Sequence, residues 1–94
     1  MTKQGFCIYV NALIDGQVPL EWDDNGNAFV YLTQLEAERV IAEETIERCQ
    51  QFLDGERTFE DATTIEEYVV KVEVMSNGSI RDDNNRYFGR GEHR

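Results

Sequence analysis

Four carboxylates recur along one stretch of the sequence at spacings that would align them on a helix. Glu36, Glu43, Glu47 and Asp54 fall within about 40° of one another when each residue turns by about 100°. We call these four residues the acid row. Because Glu43 and Glu47 lie four residues apart, they repel each other at a cost of roughly a few tenths of a kcal/mol. The row is either a solvated face that keeps the chain soluble or a set of carboxylates that binds a basic protein surface in place of phosphates.

A second acidic stretch, EWDDNGNAFVYL, has acidic or amide side chains at alternate positions from Glu21. Calcium loops of the EF-hand type share that alternation, but they need a bidentate glutamate at the twelfth position. Leu32 occupies that position here, so we interpret the stretch as a hairpin turn. The two aspartates at this turn, Asp23 and Asp24, are further candidates for contact with a basic partner.

Residues that could act as nucleophiles or metal ligands are sparse. Cys7 and Cys49 lie far apart in the sequence, and His93, near the C-terminus, is the one histidine. This spacing matches no metal-binding pattern, no serine or cysteine has an evident histidine partner, and no glycine-rich phosphate loop occurs. We therefore expect no enzyme activity, no cofactor and no metal, and we interpret both cysteines as buried free thiols.

The overall charge limits the partners further. The 94 residues carry a formal net charge of −10, which repels nucleic-acid phosphates and anionic membrane surfaces. An apolar content of 40% suits one folded domain over residues 1–94, with a candidate flexible tail from 83 to 94. No apolar run reaches the roughly 20 residues of a membrane span, and no secretory signal core is evident, so we expect a cytoplasmic protein.

Alternating patterns and turn signals place the first strands. Residues 6 to 14 are apolar on both alternating faces, which predicts a strand covered on both sides. Asp-Gly at 15 and 16 and Asn-Gly at 25 and 26 favour two-residue hairpin turns, so a three-stranded meander is expected. Pro19 predicts a bulge or a short pairing in the middle strand, because proline cannot donate to the ladder.

The register of this meander collects aromatic residues on one face of the sheet. Trp22 is expected opposite both Tyr9 and Phe29, and Leu20 opposite Tyr31. Since one helix covers one face of a small sheet, this aromatic face is either exposed as a partner or dimer interface, or covered by the C-terminal segment and residues 54 to 67.

A helix is predicted from Thr33 to Gly55. Thr33 and Glu36 form a capping-box pattern at its start, and Gly55 after Asp54 is typical of a helix end. Counted at roughly 100° per residue, its apolar arc is expected to pack on the sheet. That arc contains Ile41, Ala42, Thr45, Ile46, Cys49, Phe52 and Leu53, with Leu35 at its edge.

The remaining sequence completes the sheet. Residues 54 to 67 are assigned to an acid-rich loop, and residues 67 to 75 alternate as a strand. Asn-Gly at 77 and 78 predicts a further hairpin, followed by a strand through Ile80 that reaches towards Tyr87 and Phe88. We expect an α+β fold with a small antiparallel sheet, the order β-β-β-α-β-β, and one long amphipathic helix packed on one face.

In size, net charge, the acid row and the pattern of a sheet with one helix, the chain resembles a class of small acidic proteins. These are inhibitors from phages and mobile elements that act against host defence, such as anti-CRISPR and other DNA-mimic proteins. The resemblance implies a non-enzymatic inhibitor that occupies a basic nucleic-acid-binding surface of a host protein complex. The alternative is a structural homodimer or assembly subunit that associates through the aromatic face of Tyr9, Trp22, Phe29 and Tyr31.

Overall fold

The computed structural model describes residues 3–89, which form an α+β fold. One antiparallel sheet has the strand order β2-β1-β3-β4-β5. The elements are β1 (Lys3–Ala12), β2 (Gly16–Pro19), α1 (Gln34–Leu53), α2 (Phe59–Thr63), β3 (Glu67–Val74), β4 (Ile80–Arg81) and β5 (Tyr87–Phe88). The predicted class is confirmed. The element order differs in detail, since two strands precede the helices and three follow them.

The central pair of the sheet, β1 and β3, is covered on both faces, as the apolar pattern of β1 predicted. Tyr9 and Cys7 pair with Tyr68 and Val70 on one side, which we call the inner face. Ile8 points to the opposite side, which we call the helix face, because neighbouring residues of a strand alternate. Ile8 and Tyr9 are each 1% exposed, so β1 contributes to the interior in both directions.

The connection from β1 to β2 shifts the pairing of the first hairpin. It contains the three residues 13 to 15, where a two-residue turn was predicted. Tyr9 therefore lies opposite Pro19, and the predicted pairing of Tyr9 with Trp22 is wrong. β2 has four residues and ends at Pro19, which confirms a short pairing at the proline.

Residues 21 to 29 form a small hairpin instead of a third strand of the ladder. Trp22 pairs with Ala28 in an isolated bridge, and Tyr31 returns to the edge of β1, where it pairs with Phe6. The pairings predicted for a third strand are therefore wrong. Ala28 is 3% exposed and belongs to the core beneath the inner face, so this hairpin folds across that face.

The sheet curls until its two edge strands approach each other. Arg86, between β4 and β5, donates a hydrogen bond to the backbone oxygen of Gln17 in β2. The ring of Phe88 in β5 lies 6.1 Å from the ring of Tyr9, although two strands separate β1 from β5. The curl thus encloses a core of Cys7, Tyr9, Ala28, Val72 and Ile80, which the helix on the opposite face does not touch.

The limits of α1 agree with the prediction. The Thr33 hydroxyl accepts a hydrogen bond from the backbone N–H of Glu36 at 3.1 Å. At the other end Gly55 has a φ of 81°, a left-handed conformation that glycine adopts without steric cost.

The side of α1 that packs on the sheet is not the predicted one. Its inward residues are Ala37, which is buried, and the half-buried Val40, Ile41, Glu44, Arg48 and Gln51. Of the predicted arc only Ile41 is half-buried, while Leu35, Ala42, Thr45, Ile46, Cys49, Phe52 and Leu53 are exposed. Arg48 forms an ion pair of 3.1 Å with Glu67 in β3, on the helix face. The helix is therefore rotated by roughly a third of a turn from the orientation that an apolar count predicts.

The C-terminal half contains one element more than expected. The short helix α2 lies within the predicted 54 to 67 loop, and the strands β3, β4 and β5 follow as one meander. Residues 87 and 88 of the predicted tail form β5, whereas residues 90 to 94 lie outside the described part of the chain. Within residues 3–89, neither helix combines the length and apolar character that crossing a membrane requires.

Candidate functional site

The acid row lies on the solvent side of α1, in the line that the spacing predicted. Glu36, Glu43, Glu47 and Asp54 are all exposed. Asp54 accepts a hydrogen bond of 3.0 Å from the Gln50 side chain, but no hydrogen bond or ion pair within residues 3–89 engages the other three carboxylates. Over 18 residues at about 1.5 Å each, the row extends for about 27 Å. Glu36, Glu43 and Glu47 are therefore free to meet another molecule.

Asp23 and Asp24 belong to a different surface from the acid row. They lie in the turn of the 21 to 29 hairpin, on the inner face, whereas α1 lies on the helix face. One carboxylate oxygen of Asp23 accepts the backbone N–H groups of Asn25 at 2.8 Å and Asn27 at 3.0 Å. Asp23 thus holds the turn in shape, and Asp24 beside it is exposed.

The turn between β4 and β5 repeats the geometry of that hairpin. One carboxylate oxygen of Asp82 accepts the backbone N–H groups of Asn84 at 2.9 Å and Arg86 at 3.0 Å. The fourth residue is left-handed in both turns, Gly26 with a φ of 82° and Asn85 with a φ of 63°. The triplet Asp-Asp-Asn opens both turns, and this repeat was not among the predicted features.

Asp82, which shapes this turn, is also buried. It is 4% exposed, its second oxygen accepts the Tyr9 hydroxyl at 3.0 Å, and Arg86 lies 3.5 Å from the same oxygen. Burial and the bond to Asp82 raise the pKa of Tyr9 far above its ordinary value. This network joins β1 to the β4–β5 turn, which explains how the curled sheet is held closed.

The predicted aromatic face is divided between the two sides of the sheet. Tyr9 is 1% exposed and cannot contact a partner, so its assignment to an exposed interface is wrong. Trp22 lies on the same inner side, with its ring 6.4 Å from that of Phe88. Phe29 and Tyr31 form a separate pair with ring centres 5.0 Å apart. Trp22 and Phe29 remain 47% and 44% exposed, but they do not form one surface.

A groove opens where the two sheet edges meet, beside Trp22. It has a volume of about 470 Å³ and is lined by Asp15, Val18, Pro19, Trp22, Arg86, Tyr87 and Phe88. The Arg86 guanidinium lies 5.0 Å from the centre of the Phe88 ring, which is a cation–π arrangement. The groove is therefore aromatic with one cation at its wall.

A cluster of three glutamates lies between α1 and the sheet. Glu67 receives the ion pair from Arg48, and Glu21 accepts the Tyr31 hydroxyl at 2.7 Å. Glu44 has a buried oxygen without a hydrogen-bonding partner in the described chain. Burial, followed by the proximity of Glu67 and Glu21, raises the pKa of Glu44 to about 7. Three acids thus lie together under the helix with Arg48 paired to one of them, and the raised pKa of Glu44 favours its protonated form.

The outer side of α1 carries an apolar line that was predicted to be buried. Leu35, Ala42, Ile46, Cys49 and Leu53, which we call the apolar stripe, are exposed. The exposed fractions of Leu35, Ile46 and Leu53 are 62%, 69% and 72%. The residue spacings of seven, four, three and four match the seam of a coiled coil, and this is the sequence signal that could have identified the stripe. The acid row borders it.

Neither catalytic nor metal-binding geometry is evident in the described residues. Burial and the nearby Glu21 carboxylate raise the pKa of the Cys7 thiol to about 12, which leaves it unreactive. Cys49 is exposed, so the prediction that both thiols are buried is wrong for Cys49. Within residues 3–89, no group of three or more His, Cys, Asp or Glu residues is arranged to hold a metal ion.

Comparisons of this chain with protein-family models, curated protein sequences and solved structures found no significant match. The functional argument therefore depends on the surfaces described above.

Proposed function

We propose that this protein is a non-enzymatic, acidic protein-binding module that inhibits a host protein complex in the cytoplasm. In this proposal the acid row occupies a basic, nucleic-acid-binding surface of that complex, in the manner of anti-CRISPR or other DNA-mimic proteins. The observation that carries it is the line of exposed carboxylates along α1, which extends for about 27 Å.

The stability of the helix does not explain this row. Glu43 and Glu47 repel each other across one turn. Asp54 lies at the C-terminal end, where the helix dipole disfavours an anion, and the last turn of α1 contains no basic residue. Glu36 lies in the first turn, where the dipole favours an anion, but Glu43 and Glu47 stabilise neither the helix nor its packing. Their exposure is consistent with a role towards another molecule, and the net charge of −10 favours a basic one.

The proposal is tested by capture from a bacterial lysate. The tagged protein is immobilised, bound proteins are eluted with rising salt and then with competing duplex DNA or RNA, and each fraction is identified by mass spectrometry. We expect a nucleic-acid-handling complex in the fractions that nucleic acid releases, because both ligands compete for the same basic groove. If adding DNA or RNA does not release the captured complex, the proposal is contradicted.

A pair of charge variants locates the contact. Glu43→Gln with Glu47→Gln should weaken capture at least tenfold and reduce its dependence on salt. Glu56→Gln with Glu60→Gln removes the same charge from two other exposed positions and should leave capture nearly unchanged. Equal losses in both variants would mean that net charge, and not the acid row, drives binding.

The alternative function is self-association through an aromatic surface. Its supporting observation is the groove of about 470 Å³ between the sheet edges, where Trp22 and Tyr87 are 47% and 45% exposed. A dimer formed there would persist at high salt and dissociate after Trp22→Ser, which sedimentation equilibrium would detect. Phe29 and Tyr31, on the other side, would not contribute.

A further inference from the structure

We infer that the apolar stripe of α1 is a docking site for an amphipathic helix of a partner protein whose polar flanks carry lysine or arginine. This inference rests on the proposed function in one respect, because both require a basic protein partner. It adds the shape of the contact: a helix laid along the stripe, with the acid row as one of its borders.

The spacing of the stripe specifies a helical partner. Its residues alternate by three and four positions over the whole of α1, interrupted by Arg39 alone, which is the arrangement that packs against another helix along a seam. From Leu35 to Leu53 the seam is about 27 Å long at about 1.5 Å per residue. The side of α1 that contacts the sheet is the opposite one, centred on Ala37 and Glu44, so this packing leaves the seam free.

The charges beside the seam indicate a basic occupant. Glu36 and Glu43 lie on one flank and Glu38 on the other, and all three are exposed. Arg39 offsets one of these charges. In coiled coils the flanking residues select the partner by charge, so lysine or arginine on the flanks of the incoming helix would pair with this border.

The same charges disfavour a second copy of the chain as the occupant. In a parallel pair, Glu38 of one helix would face Glu43 of the other, since flanking contacts join positions five residues apart. In an antiparallel pair, the Glu36 and Glu43 flank would lie against itself. Like charges in these positions are destabilising.

The test uses designed peptides as the probe. Two three-heptad helical peptides carry leucine at every seam position, one with lysine on both flanks and the other with glutamate. The like charges on each peptide keep it monomeric. Binding to the full-length protein is measured by fluorescence anisotropy, and circular dichroism confirms that each variant is folded.

The lysine peptide should bind at least tenfold more tightly than the glutamate peptide. Ile46→Ser with Leu53→Ser should weaken its binding at least tenfold, because two apolar contacts are lost. The matched control is Leu13→Ser with Ile14→Ser, two aliphatic side chains that are 104% and 94% exposed on the β1–β2 loop; it should bind as the wild type does. Ile46→Ala with Leu53→Ala tests the same loss without the lower helix propensity of serine.

Three results would overturn the inference. If the serine and alanine variants bind the lysine peptide as tightly as the wild type does, the contact is made by carboxylates alone and the proposed function survives without the stripe. If both peptides bind equally, the occupant is not selected by charge. If the wild type is a dimer and the stripe variants are monomers, the occupant is a second copy. A fourth result separates the two claims. If binding of the lysine peptide depends on the stripe but nucleic acid fails to release the captured proteins, the docking site stands and only the occupation of a nucleic-acid groove is refuted.

Discussion

Replacement of Glu44 by glutamine should stabilise the protein at neutral and alkaline pH. Glu44 lies between α1 and the sheet with Glu67 and Glu21 close by, and one of its oxygens has no partner among the described residues. When Glu44 is protonated it can donate a hydrogen bond to Glu67. Glutamine retains that donor at every pH and removes the charge, so Glu44→Gln imitates the protonated form.

The magnitude follows from the pKa of Glu44, which rises from 4.5 to about 7 on folding. A carboxyl with a raised pKa in the folded state stabilises the fold while it is protonated, and that contribution is lost as the pH rises from the unfolded pKa of 4.5 through the folded pKa of about 7. At roughly 1.4 kcal/mol per pKa unit, the upper limit is about 3 kcal/mol. Solvent screening of this half-buried group reduces the expected difference to about 1–2 kcal/mol.

Urea unfolding of the two proteins at several values between pH 5 and pH 8, followed by the fluorescence of Trp22, measures this difference. Glu44→Gln should be more stable than the wild type by about 1–2 kcal/mol at pH 8, and the difference should fall to about a quarter of that near pH 5. Glu47→Gln, an exposed change one turn further along α1, is the control for the loss of one helix carboxylate. A difference that is the same at pH 5 and pH 8, or a variant less stable than the wild type at pH 8, would refute the reasoning.

Three further predictions concern the interior and the thiols. Tyr9→Phe removes the 3.0 Å bond to Asp82 and leaves a buried carboxylate oxygen with one donor fewer, so urea unfolding should show a loss of about 1–2 kcal/mol; an unchanged midpoint would contradict this. Gly89→Ala combines a φ of 129° with a methyl group 2.9 Å from the Ser79 backbone, so urea unfolding should show a loss larger than the roughly 1–3 kcal/mol that a strained backbone costs alone; a smaller loss would contradict this. Thiol titration of the native protein should modify Cys49 quickly and Cys7 only after unfolding, since burial raises the pKa of Cys7 to about 12; two fast thiols would show that the core opens readily.

The acid row and the limits of α1 could be predicted because both follow from local sequence. Thr33 and Gly55 act on backbone groups within a few residues of themselves, and the alignment of Glu36, Glu43 and Glu47 needs only the helical repeat. The Asn-Gly hairpin at 77 and 78 belongs to the same category. None of these predictions depends on a contact between residues distant in the sequence, so the tertiary structure did not change them.

The burial of Tyr9 and the division of the aromatic residues could not be predicted in this way. A three-residue turn at 13 to 15, in place of the predicted two-residue turn at 15 and 16, moved the partner of Tyr9 from Trp22 to Pro19. The curl of the sheet, held by Arg86 and Asp82, then covered the inner face, so no helix is needed on that side. Both depend on pairings between residues that are distant in the sequence.

The sequence by itself determined that a 20-residue helix would carry a line of acids and a line of apolar residues. Which of its sides packs on the sheet was decided only by the tertiary structure. A periodicity count assumes that the most apolar side is buried, but here Ala37 permits close approach to the sheet and Arg48 pairs with Glu67, 19 residues away. A helix takes the orientation with the best total packing and charge pairing, and in this protein that choice left the apolar stripe in solvent beside the acid row.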